Sequence, residues 1–428
     1  MTNPYAEIIE ELNSDTQTVP DVAWKEIVVD ETGVPRQAGS SHPEGEFIKQ
    51  FRLVAENSLH AFSKGVMGRA YLTDHLHLPV SDFLQKVPPF RKMLLMPRDH
   101  AKTSIVSHCL PPHILIQPAE TNIYFPGLDG CECRILLGGS SQGRAEKNLG
   151  VIGKAFTANQ VMRALWPHRC YENARHAKYE APKWNAQELI IPRTETWPDA
   201  SVFAVGVGVE IAGARPNVMI KDDLIGREAA NSEAMMRDAI DWHKASRALM
   251  DEYEKDTGVE SLEFIIGTRW AVFDLYASIL DGDEDTGPDL SVEPLVRRIL
   301  EPVIGPDGDE TGDLTPIWPE RFPPERIDQL RREFGSMFYL LYMNEASDPN
   351  LVDFDMNQVR LFELTGPAGN EITFDTEFRD AALEERYKRK PEAVEESKRP
   401  TQGISLTADN WEVFFGKGRG HYMRMKYG

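Results

Sequence analysis

Residues 93–106 read MLLMPRDHAKTSIV, an apolar run followed by a polar loop and a second apolar run. This order predicts a strand, a tight loop and the start of a helix, with Lys102 and Thr103 at the helix entrance. Exposed backbone N–H groups and the positive end of the helix attract an anion at such a place. Lys102 can reach the β- and γ-phosphates of a nucleotide, and Thr103 can hold Mg²⁺. The segment therefore predicts a phosphate-binding loop.

The loop departs from the usual phosphate-binding pattern, which has glycine six and one positions before the lysine. Met96 and Ala101 occupy those two places. A Lys-Thr pair after a strand also occurs in an ordinary capped helix, so this segment alone leaves both interpretations open. The decision between them depends on the motifs further along the chain.

Composition excludes several classes of protein. The chain has 428 residues and a formal net charge of −21, which argues against a protein that coats nucleic acid through its overall charge. It contains no apolar run of about 18 residues and no N-terminal export signal, so we expect a soluble protein that contacts no membrane. The cysteines do not form CxxC pairs, and reduced thiols in a cytoplasm are the favoured interpretation over a metal–thiolate site. They are Cys109, Cys131, Cys133 and Cys170.

Short apolar runs alternate with helical patterns along the middle of the chain. This alternation predicts the α/β class, a mostly parallel sheet with helices on both faces. The strands are expected at 134–138, 189–191, 201–209, 217–220 and 263–266, and helices at 144–156, 232–250 and 323–342. Pro-, Asp- and Gly-rich stretches at 281–289 and 305–315 predict loops.

Two further strands are expected to end in polar side chains. NVMIKDDL at Asn217–Leu224 ends in adjacent acids. We assign Asp222 to the Mg²⁺ side and Asp223 to activation of the attacking water, although two acids after a strand also form ordinary turns and caps. EFIIGTRW at Glu263–Trp270 offers the Thr268 hydroxyl and the Arg269 guanidinium, which could sense a γ-phosphate. In a parallel sheet these ends would share one edge with the Lys-Thr loop.

With these three motifs in this order, the chain resembles the ATPase domain of tailed-phage terminase large subunits over roughly residues 71–354. Order and spacing of the motifs both fit. The similar stretches are PRDHAKTS at Pro97–Ser104, RILLGGSSQGRAEKN at Arg134–Asn148, KWNAQELIIPR at Lys183–Arg193, GVGVEIAGARPNVMIKDDLIGREAANS at Gly206–Ser232, GTRW at Gly267–Trp270 and WPERF at Trp318–Phe322. The resemblance implies an additional-strand, RecA-like P-loop fold and a motor that uses ATP and Mg²⁺ to drive double-stranded DNA into a procapsid.

The resemblance also assigns roles to individual residues. Lys102 and Thr103 match the Walker A pair, Asp222 matches the Walker B acid, and Thr268 falls in the motif that couples ATP to DNA movement. Asp223 stands where many relatives have glutamate. Catalytic arginines are expected at Arg98 in the phosphate loop and at Arg215, which would act on a neighbouring subunit or would otherwise be an ordinary surface arginine. The expected nucleotide contacts are Pro97, Arg98, Asp99, His100, Ala101, Lys102, Thr103 and Ser104.

Partners and domains are implied by the same resemblance. It implies contacts with double-stranded DNA, the portal protein and a small terminase subunit, in a homo-oligomeric, pentameric ring that docks on the procapsid from the host cytoplasm. We expect a flexible acidic arm at 1–47, a P-loop ATPase domain at 48–350 with a lid-like helical part at about 290–350, and an extension at 351–428 without a complete nuclease.

The nuclease expectation rests on length. Only 75 residues follow Asp353, too few for the RNase H-like nuclease that such subunits usually carry. Asp375, in ITFDTE at 372–377, is either a remnant of a first nuclease strand or part of a solvated acidic loop. We therefore expect DNA cleavage to belong either to a separate polypeptide or to further sequence of the same protein that is not part of these 428 residues.

Two other functions remain open at this point. A helicase-like DNA translocase would share the first two motifs, but it needs a second RecA-like domain that the sequence after Trp270 is too short to hold. A nucleotide-binding scaffold with little turnover is compatible with the missing glycines and with the missing catalytic glutamate. DNA-stimulated release of phosphate would distinguish a motor from a scaffold.

Overall fold

The structure is a computed structural model, which describes residues 44–209, 211, 213–250, 260–282, 287–304 and 309–345, with seven short strands outside these ranges. The chain divides into two compact units, Met1–Ser347 and Asp348–Gly428. Near the start of the first unit, β1 (Ile27–Val29) and β2 (Pro35–Gln37) form an antiparallel hairpin. The rest of the expected arm at 1–47, up to the helix that begins at Glu44, lies outside the described residues.

A seven-stranded sheet forms the centre of the first unit. Its strands are β3 (Arg91–Leu95), β4 (Ile135–Gly139), β5 (Glu188–Leu189), β6 (Val202–Gly206), β7 (Val218–Asp222), β8 (Leu262–Gly267) and β9 (Glu293–Val296). Their order across the sheet is β5–β6–β4–β7–β8–β3–β9, and only β5 is antiparallel to its neighbour. All residues of β4, β6, β7 and β8 are buried, as expected for parallel strands covered on both faces.

The register places the ends of the predicted motif strands at one edge. β8 lies between β3 and β7, with Leu95 opposite Gly267 and Asp222 opposite Ile266. The pairing of Gly139 with Asp222 brings the end of β4 to the same level. The prediction that the three motifs share one sheet edge is confirmed.

Helices cover both faces of the sheet. They are α1 (Glu44–Asn57), α2 (Asp74–Gln85), α3 (Leu110–Leu115), α4 (Gln142–Thr157), α5 (Gln160–Leu165), α6 (Ala174–Glu180), α7 (Arg227–Ala230), α8 (Glu233–Arg247), α9 (Leu275–Leu280) and α10 (Pro324–Phe334). Short helical turns occur at Leu59–Ala61, Phe62–Val66, Ser104–Cys109, Gly130–Glu132, Pro167–Arg169 and Tyr339–Met343. Among the residues with described placement, no helix is long and apolar enough to span a membrane.

Two hydrophobic cores lie on opposite faces of the sheet, because successive side chains of a strand point to opposite sides. Ile220 of β7 packs into the core that contains the helical turn after the phosphate loop, α3 and α4. Its neighbour Met219 packs into the core with Trp242 of α8 and with Leu275 and Tyr276 of α9. The sheet is therefore sandwiched between two helical layers, as predicted.

A buried ionic cluster ties β7, β8 and α8 together on the face opposite Asp222. Lys221 Nζ donates to Glu263 Oε1 at 2.6 Å, and both side chains are fully buried. Arg247 Nε donates to the second oxygen of Glu263 at 2.8 Å, and the same guanidinium pairs with Asp289. Burial lowers the pKa of Lys221 to about 8. Burial alone would raise the pKa of Glu263, but the cations of Lys221 and Arg247 outweigh it and lower that pKa to about 2.

The region after β9 differs from the sequence-based prediction. β10 (Leu300–Ile304) and β11 (Glu310–Pro316) form an antiparallel hairpin where a loop was predicted at 305–315. Within the described part of the expected lid at about 290–350, helices occur at Pro324–Phe334 and Tyr339–Met343, in the second half of that range. The helix predicted over 323–342 ends at Phe334, where Gly335 has a φ of +52°, and a separate helical turn comes after it.

Among the residues of the second unit whose placement is described, there are five short strands. They are β12 (Phe362–Thr365), β13 (Glu371–Phe374), β14 (Ile404–Ser405), β15 (Trp411–Phe415) and β16 (His421–Met425). β12, β13 and β14 form an antiparallel sheet, and β15 and β16 form a hairpin. β13 coincides with part of the strand expected at ITFDTE, whereas Asp375 lies outside the described residues.

Replacing Glu263 by Gln should lower the free energy of unfolding by about 3–5 kcal/mol, because Lys221 would remain buried without an anionic partner. The pKa of Glu263 is depressed, so its contribution to stability is present above pH 4.5 and is lost as the pH falls towards 2. The deficit of the variant in urea denaturation should therefore be smaller at pH 3 than at pH 7. Glu233→Gln, which removes an exposed ion pair with Arg237, is the control and should cost less than about 0.5 kcal/mol.

An equal deficit for the two variants, or a deficit that does not change with pH, would contradict this role for the cluster.

Candidate active site

The backbone of the predicted phosphate loop lies twice in the left-handed region. Asp99 has a φ of +61° and Ala101 a φ of +63°. A non-glycine residue pays about 1–2 kcal/mol for this conformation, so the surrounding structure must enforce it. Ala101 occupies the place where glycine is usual, and it keeps a backbone conformation for which glycine is favoured. Successive N–H groups in such a turn form a concave site for an anion.

The buried side chain of His100 restrains the conformation of the loop. Its ring is fully buried and stacks on Phe322 with ring centroids 4.4 Å apart and an angle of 6° between the planes. The ring of Trp318 packs edge-to-face with that of His100, with centroids 5.8 Å apart. Burial lowers the pKa of His100 to about 4, and the Lys102 cation adds to this effect, so the ring is neutral at pH 7. Its Nδ1 donates to the carbonyl oxygen of Arg98 at 2.7 Å and thereby closes the turn.

Lys102 reaches the ends of the two neighbouring motif strands. Its side chain is buried, and its Nζ donates to Thr268 Oγ1 at 2.6 Å. The same Nζ lies 3.9 Å from Asp223 Oδ1. Thr268 Oγ1 in turn donates to the carbonyl oxygen of Met96 at 3.3 Å. One ammonium therefore links the phosphate loop, the acid after β7 and the hydroxyl after β8.

Asp222 accepts hydrogen bonds from three side chains. Thr103 Oγ1 donates to Oδ1 at 3.2 Å, and Ser107 Oγ and Asn148 Nδ2 donate to Oδ2 at 2.7 and 3.0 Å. Burial, with a smaller contribution from repulsion by the neighbouring carboxylate of Asp223, raises the pKa of Asp222 above its ordinary value. The donors hold the carboxylate in one orientation, directly beside the Thr103 hydroxyl.

Ser107 and Asn148 were not assigned a role from the sequence. Ser107 follows Thr103 by four residues, a spacing that places both hydroxyls on the same helical face and could have revealed it. Asn148 belongs to the RILLGGSSQGRAEKN stretch, but its position gave no separate signal. His108 Nε2 lies 3.0 Å from Asn148 Oδ1 and, as donor, would turn the amide nitrogen towards Asp222.

Asp223 has a carboxylate oxygen that lies 3.9 Å from the Lys102 ammonium and accepts no hydrogen bond from the described residues. Its backbone lies in the left-handed region, with a φ of +46°, and its N–H donates to the carbonyl oxygen of Ile266 at 2.9 Å. Within the part of the chain that the structure describes, Asp223 Oδ1 is buried and has no hydrogen-bond partner. A buried carboxylate oxygen of this kind suits a bound water or a cation. Asp223 Oδ1 is therefore available as an acceptor for a bound water or as a ligand for a cation.

The donor set also fits Mg²⁺. This ion usually binds one or two carboxylates and completes its shell with waters and substrate phosphates. Thr103, Asp222 and Asp223 supply a hydroxyl and two carboxylates at one point. Among the described residues, no group of three or more His, Cys, Asp or Glu side chains is placed to enclose a metal on its own.

Within one copy, the guanidinium of Arg98 lies outside this cluster, and so does Arg215, which was expected to act on a neighbouring subunit. The Arg98 guanidinium lies over the ring of Trp270, 4.7 Å from its centroid, while the Arg98 backbone N–H donates to Leu341. Arg215 is exposed and precedes β7, whereas Asp222 ends it, so the length of the strand, roughly 13 Å, separates them. Arg269, suggested as a γ-phosphate sensor, is instead bonded to Asp274 at 3.0 Å.

Comparisons with known proteins add little to this geometry. No protein-family model and no curated protein matches the chain. Among solved structures, the chain is similar to the crystal structure of the HK97 bacteriophage large terminase, with 14% identity over 87% of this chain and 70% of that chain. The TM-score is 0.35, too low for the likeness to support a conclusion about fold or function.

Replacing Asn148 by Leu should raise the Mg²⁺ concentration needed for half-maximal nucleotide binding by about tenfold or more, as is usual when a ligand loses a supporting hydrogen bond. The measurement is a titration of a fluorescent ATP analogue at a series of Mg²⁺ concentrations. Lys147→Leu, at an exposed position on the same helix, is the control and should leave the Mg²⁺ dependence unchanged. An unchanged Mg²⁺ dependence in Asn148→Leu would show that the amide does not position Asp222.

Proposed function

We propose that this chain is a P-loop ATPase of the additional-strand, RecA-like type. The observation that carries the proposal is the convergence of Lys102, Thr103, Asp222, Asp223 and Thr268 at the carboxyl edge of the sheet. These residue types are what phosphoryl transfer needs: a cation for the phosphates, ligands for Mg²⁺, and a carboxylate for the attacking water. The place of β8 between β3 and β7 agrees with the additional-strand arrangement.

Each residue of the cluster has a distinct role in the proposed reaction. The Lys102 ammonium binds the β- and γ-phosphates and stabilises charge that develops on the transferred group. Thr103 and Asp222 hold Mg²⁺, which neutralises phosphate charge when it is bound. Asp223 orients the attacking water through Oδ1, which accepts no hydrogen bond from the described residues, and takes up the water proton. Its side chain is one methylene shorter than glutamate, and the left-handed backbone at Asp223 sets where the carboxylate lies.

Thr268 provides the route by which nucleotide state reaches the rest of the molecule. The γ-phosphate would compete with the Thr268 hydroxyl for the Lys102 ammonium, so hydrolysis would change the hydrogen bonding at the end of β8. Two-state changes of this kind are how nucleotide motors convert phosphate release into movement. The γ-phosphate would also compete with the Asp223 carboxylate, which lies 3.9 Å from the Lys102 ammonium.

The sequence resemblance supports a more specific function. We propose that ATP hydrolysis drives double-stranded DNA into a procapsid through a portal, in a ring of subunits that works with a small terminase subunit in the host cytoplasm. Arg215 is proposed to complete the site of a neighbouring subunit. A scaffold with little turnover remains the alternative, but Asp223 Oδ1 lies 3.9 Å from Lys102 Nζ and accepts no hydrogen bond from the described residues, which favours hydrolysis.

Lys102→Ala should reduce release of phosphate from ATP by about a hundredfold or more, because the ammonium acts on charge that develops in the transition state. Release of phosphate should be measured with and without double-stranded DNA, and DNA should stimulate the unmodified chain. Lys154→Ala, at an exposed position of α4, is the matched control. Near-normal turnover in Lys102→Ala would remove this loop from the proposal, and turnover that DNA leaves unchanged would favour the scaffold.

Asp223→Asn and Asp222→Asn should separate catalysis from metal binding. The amide at position 223 cannot accept a proton, so hydrolysis should fall strongly while Mg²⁺-dependent binding of an ATP analogue is retained. The amide at position 222 should weaken that binding as well, because a ligand of the ion is lost. Titration of the analogue against both variants, with and without Mg²⁺, checks this division. Equal losses of binding would mean that the two acids share one role.

A further inference from the structure

The backbone of Asp223 has a conformation that a non-glycine residue adopts only under restraint. Its φ of +46° lies in the left-handed region, where the Cβ atom approaches the following carbonyl oxygen too closely. Such a conformation persists where the surrounding structure enforces it, and it is concentrated at functional sites. Asp223 directly follows β7, so its backbone dihedral angles decide where its carboxylate lies relative to Lys102.

The hydroxyl of Tyr276 supplies a restraint on both sides of Asp223. Tyr276 belongs to α9 and is fully buried. Its Oη donates to the carbonyl oxygen of Ile266 at 3.3 Å, and the same carbonyl oxygen accepts the backbone N–H of Asp223 at 2.9 Å. The backbone N–H of Leu224 donates to Tyr276 Oη. The hydroxyl therefore joins the acceptor of the Asp223 N–H to the N–H of the next residue, and these two peptide groups define the dihedral angles of Asp223.

Burial keeps the Tyr276 hydroxyl protonated. Removal from water raises the pKa of Tyr276 well above its ordinary value, and the negative charge of Asp223 adds to this effect. The hydroxyl is therefore a donor to Ile266 throughout the neutral pH range. Because it is buried and bonded to backbone groups, it acts on a reaction through the position of Asp223 and not by contact with a substrate.

The third sequence motif, GTRW at Gly267–Trp270, leaves space for this tyrosine. A Cβ atom at position 267 would overlap the Cζ and Oη atoms of Tyr276, so a side chain fits there only if the phenol ring moves. Gly267 ends β8 and directly follows Ile266, whose carbonyl oxygen accepts the hydroxyl. The glycine of this motif thus allows the phenol to approach the end of β8.

Arg269 of the same motif fixes the start of α9. Its Nε atom donates to Asp274 Oδ2 at 3.1 Å, and both side chains are buried. Asp274 is the N-cap of α9, since its Oδ1 accepts the backbone N–H of Ala277 at 2.9 Å. Tyr276 lies two residues after this cap. Gly267 and Arg269 therefore both determine where Tyr276 lies.

We propose that Tyr276 is a positioning residue that holds the Asp223 carboxylate in the orientation that activates water. Without the hydroxyl, the N–H of Leu224 loses its acceptor, and the backbone of Asp223 can relax out of the left-handed region. Asp222 keeps its place, because it belongs to β7 and pairs with β4 and β8. The effect on catalysis rests on the proposed ATPase function, whereas the restraint on the backbone does not depend on it.

Tyr276→Phe removes the hydroxyl and keeps the ring. Hydrogen–deuterium exchange of the full chain without nucleotide reports the restraint directly, in peptides that cover residues 219–225. Exchange in this segment should be about tenfold faster in the variant, because an amide that loses its acceptor opens more often. Tyr124→Phe is the matched control and should leave exchange there unchanged. The Tyr124 hydroxyl is also fully buried, 2.8 Å from His113 Nδ1, but it lies in the core on the other face of the sheet.

Turnover measurements separate positioning from a general loss of stability. Tyr276→Phe should lower kcat for ATP about tenfold or more, because the rate falls steeply when a catalytic group is displaced. The KM for ATP and the half-saturating Mg²⁺ concentration should change by less than about twofold, since the Mg²⁺ ligands stay in place. Tyr124→Phe should keep kcat within about twofold of the unmodified chain, although it also loses a buried hydrogen bond.

Unchanged exchange at residues 219–225 in Tyr276→Phe would overturn the proposal whatever the activity. Faster exchange with an unchanged kcat would also overturn it, as would an equal fall of kcat in the two tyrosine variants. A rise in the Mg²⁺ requirement as large as that expected for Asn148→Leu would mean that the hydroxyl acts on Asp222 instead. If the unmodified chain releases no phosphate but exchange rises in Tyr276→Phe alone, the ATPase proposal fails and the restraint on Asp223 stands.

Discussion

The left-handed backbone at Ala101 is the constraint on which the site depends. A glycine would adopt this turn at no steric cost, whereas alanine must be held in it. The ring stack of His100 on Phe322 and the hydrogen bond from His100 to the carbonyl oxygen of Arg98 supply that restraint. Trp318 and Phe322 are distant in sequence from the loop, but they act as part of its scaffold. Packing therefore replaces glycine as the source of the loop geometry.

Two adjacent charged residues of β7 point to opposite faces of the sheet and have separate partners. Asp222 points to the face of the phosphate loop, where Thr103, Ser107 and Asn148 donate to it. The side chain before it, Lys221, points to the other face and is neutralised by a fully buried carboxylate on β8. Alternation along a strand thus places Asp222, the proposed Mg²⁺ ligand, and the structural cation Lys221 on opposite faces of the sheet. The ionic cluster fixes β7 against β8, and Asp222, Asp223 and Thr268 lie at or directly after the ends of these two strands.

Sequence reasoning located the elements whose signal is local. The apolar runs of β3, β4, β7 and β8 are continuous because both faces of these strands are buried, and the shared edge of their motifs is a consequence of parallel topology. β11 was missed because ETGDLTP is polar and lacks alternation, so its strand depends on pairing with β10. Asn148 and the His100 stack were missed for a related reason. Their partners are far apart in sequence, and only the folded chain brings them together.

The central claim is that the loop at residues 97–104 binds the phosphates of ATP through Lys102. A structure of the full chain with Mg²⁺ and a non-hydrolysable ATP analogue tests this claim most directly. The account predicts the γ-phosphate within hydrogen-bonding distance of Lys102 Nζ, Mg²⁺ beside Thr103 and Asp222, and a water on Asp223. A nucleotide bound elsewhere, or one that leaves Lys102 bonded to Thr268 with no phosphate nearby, would contradict it.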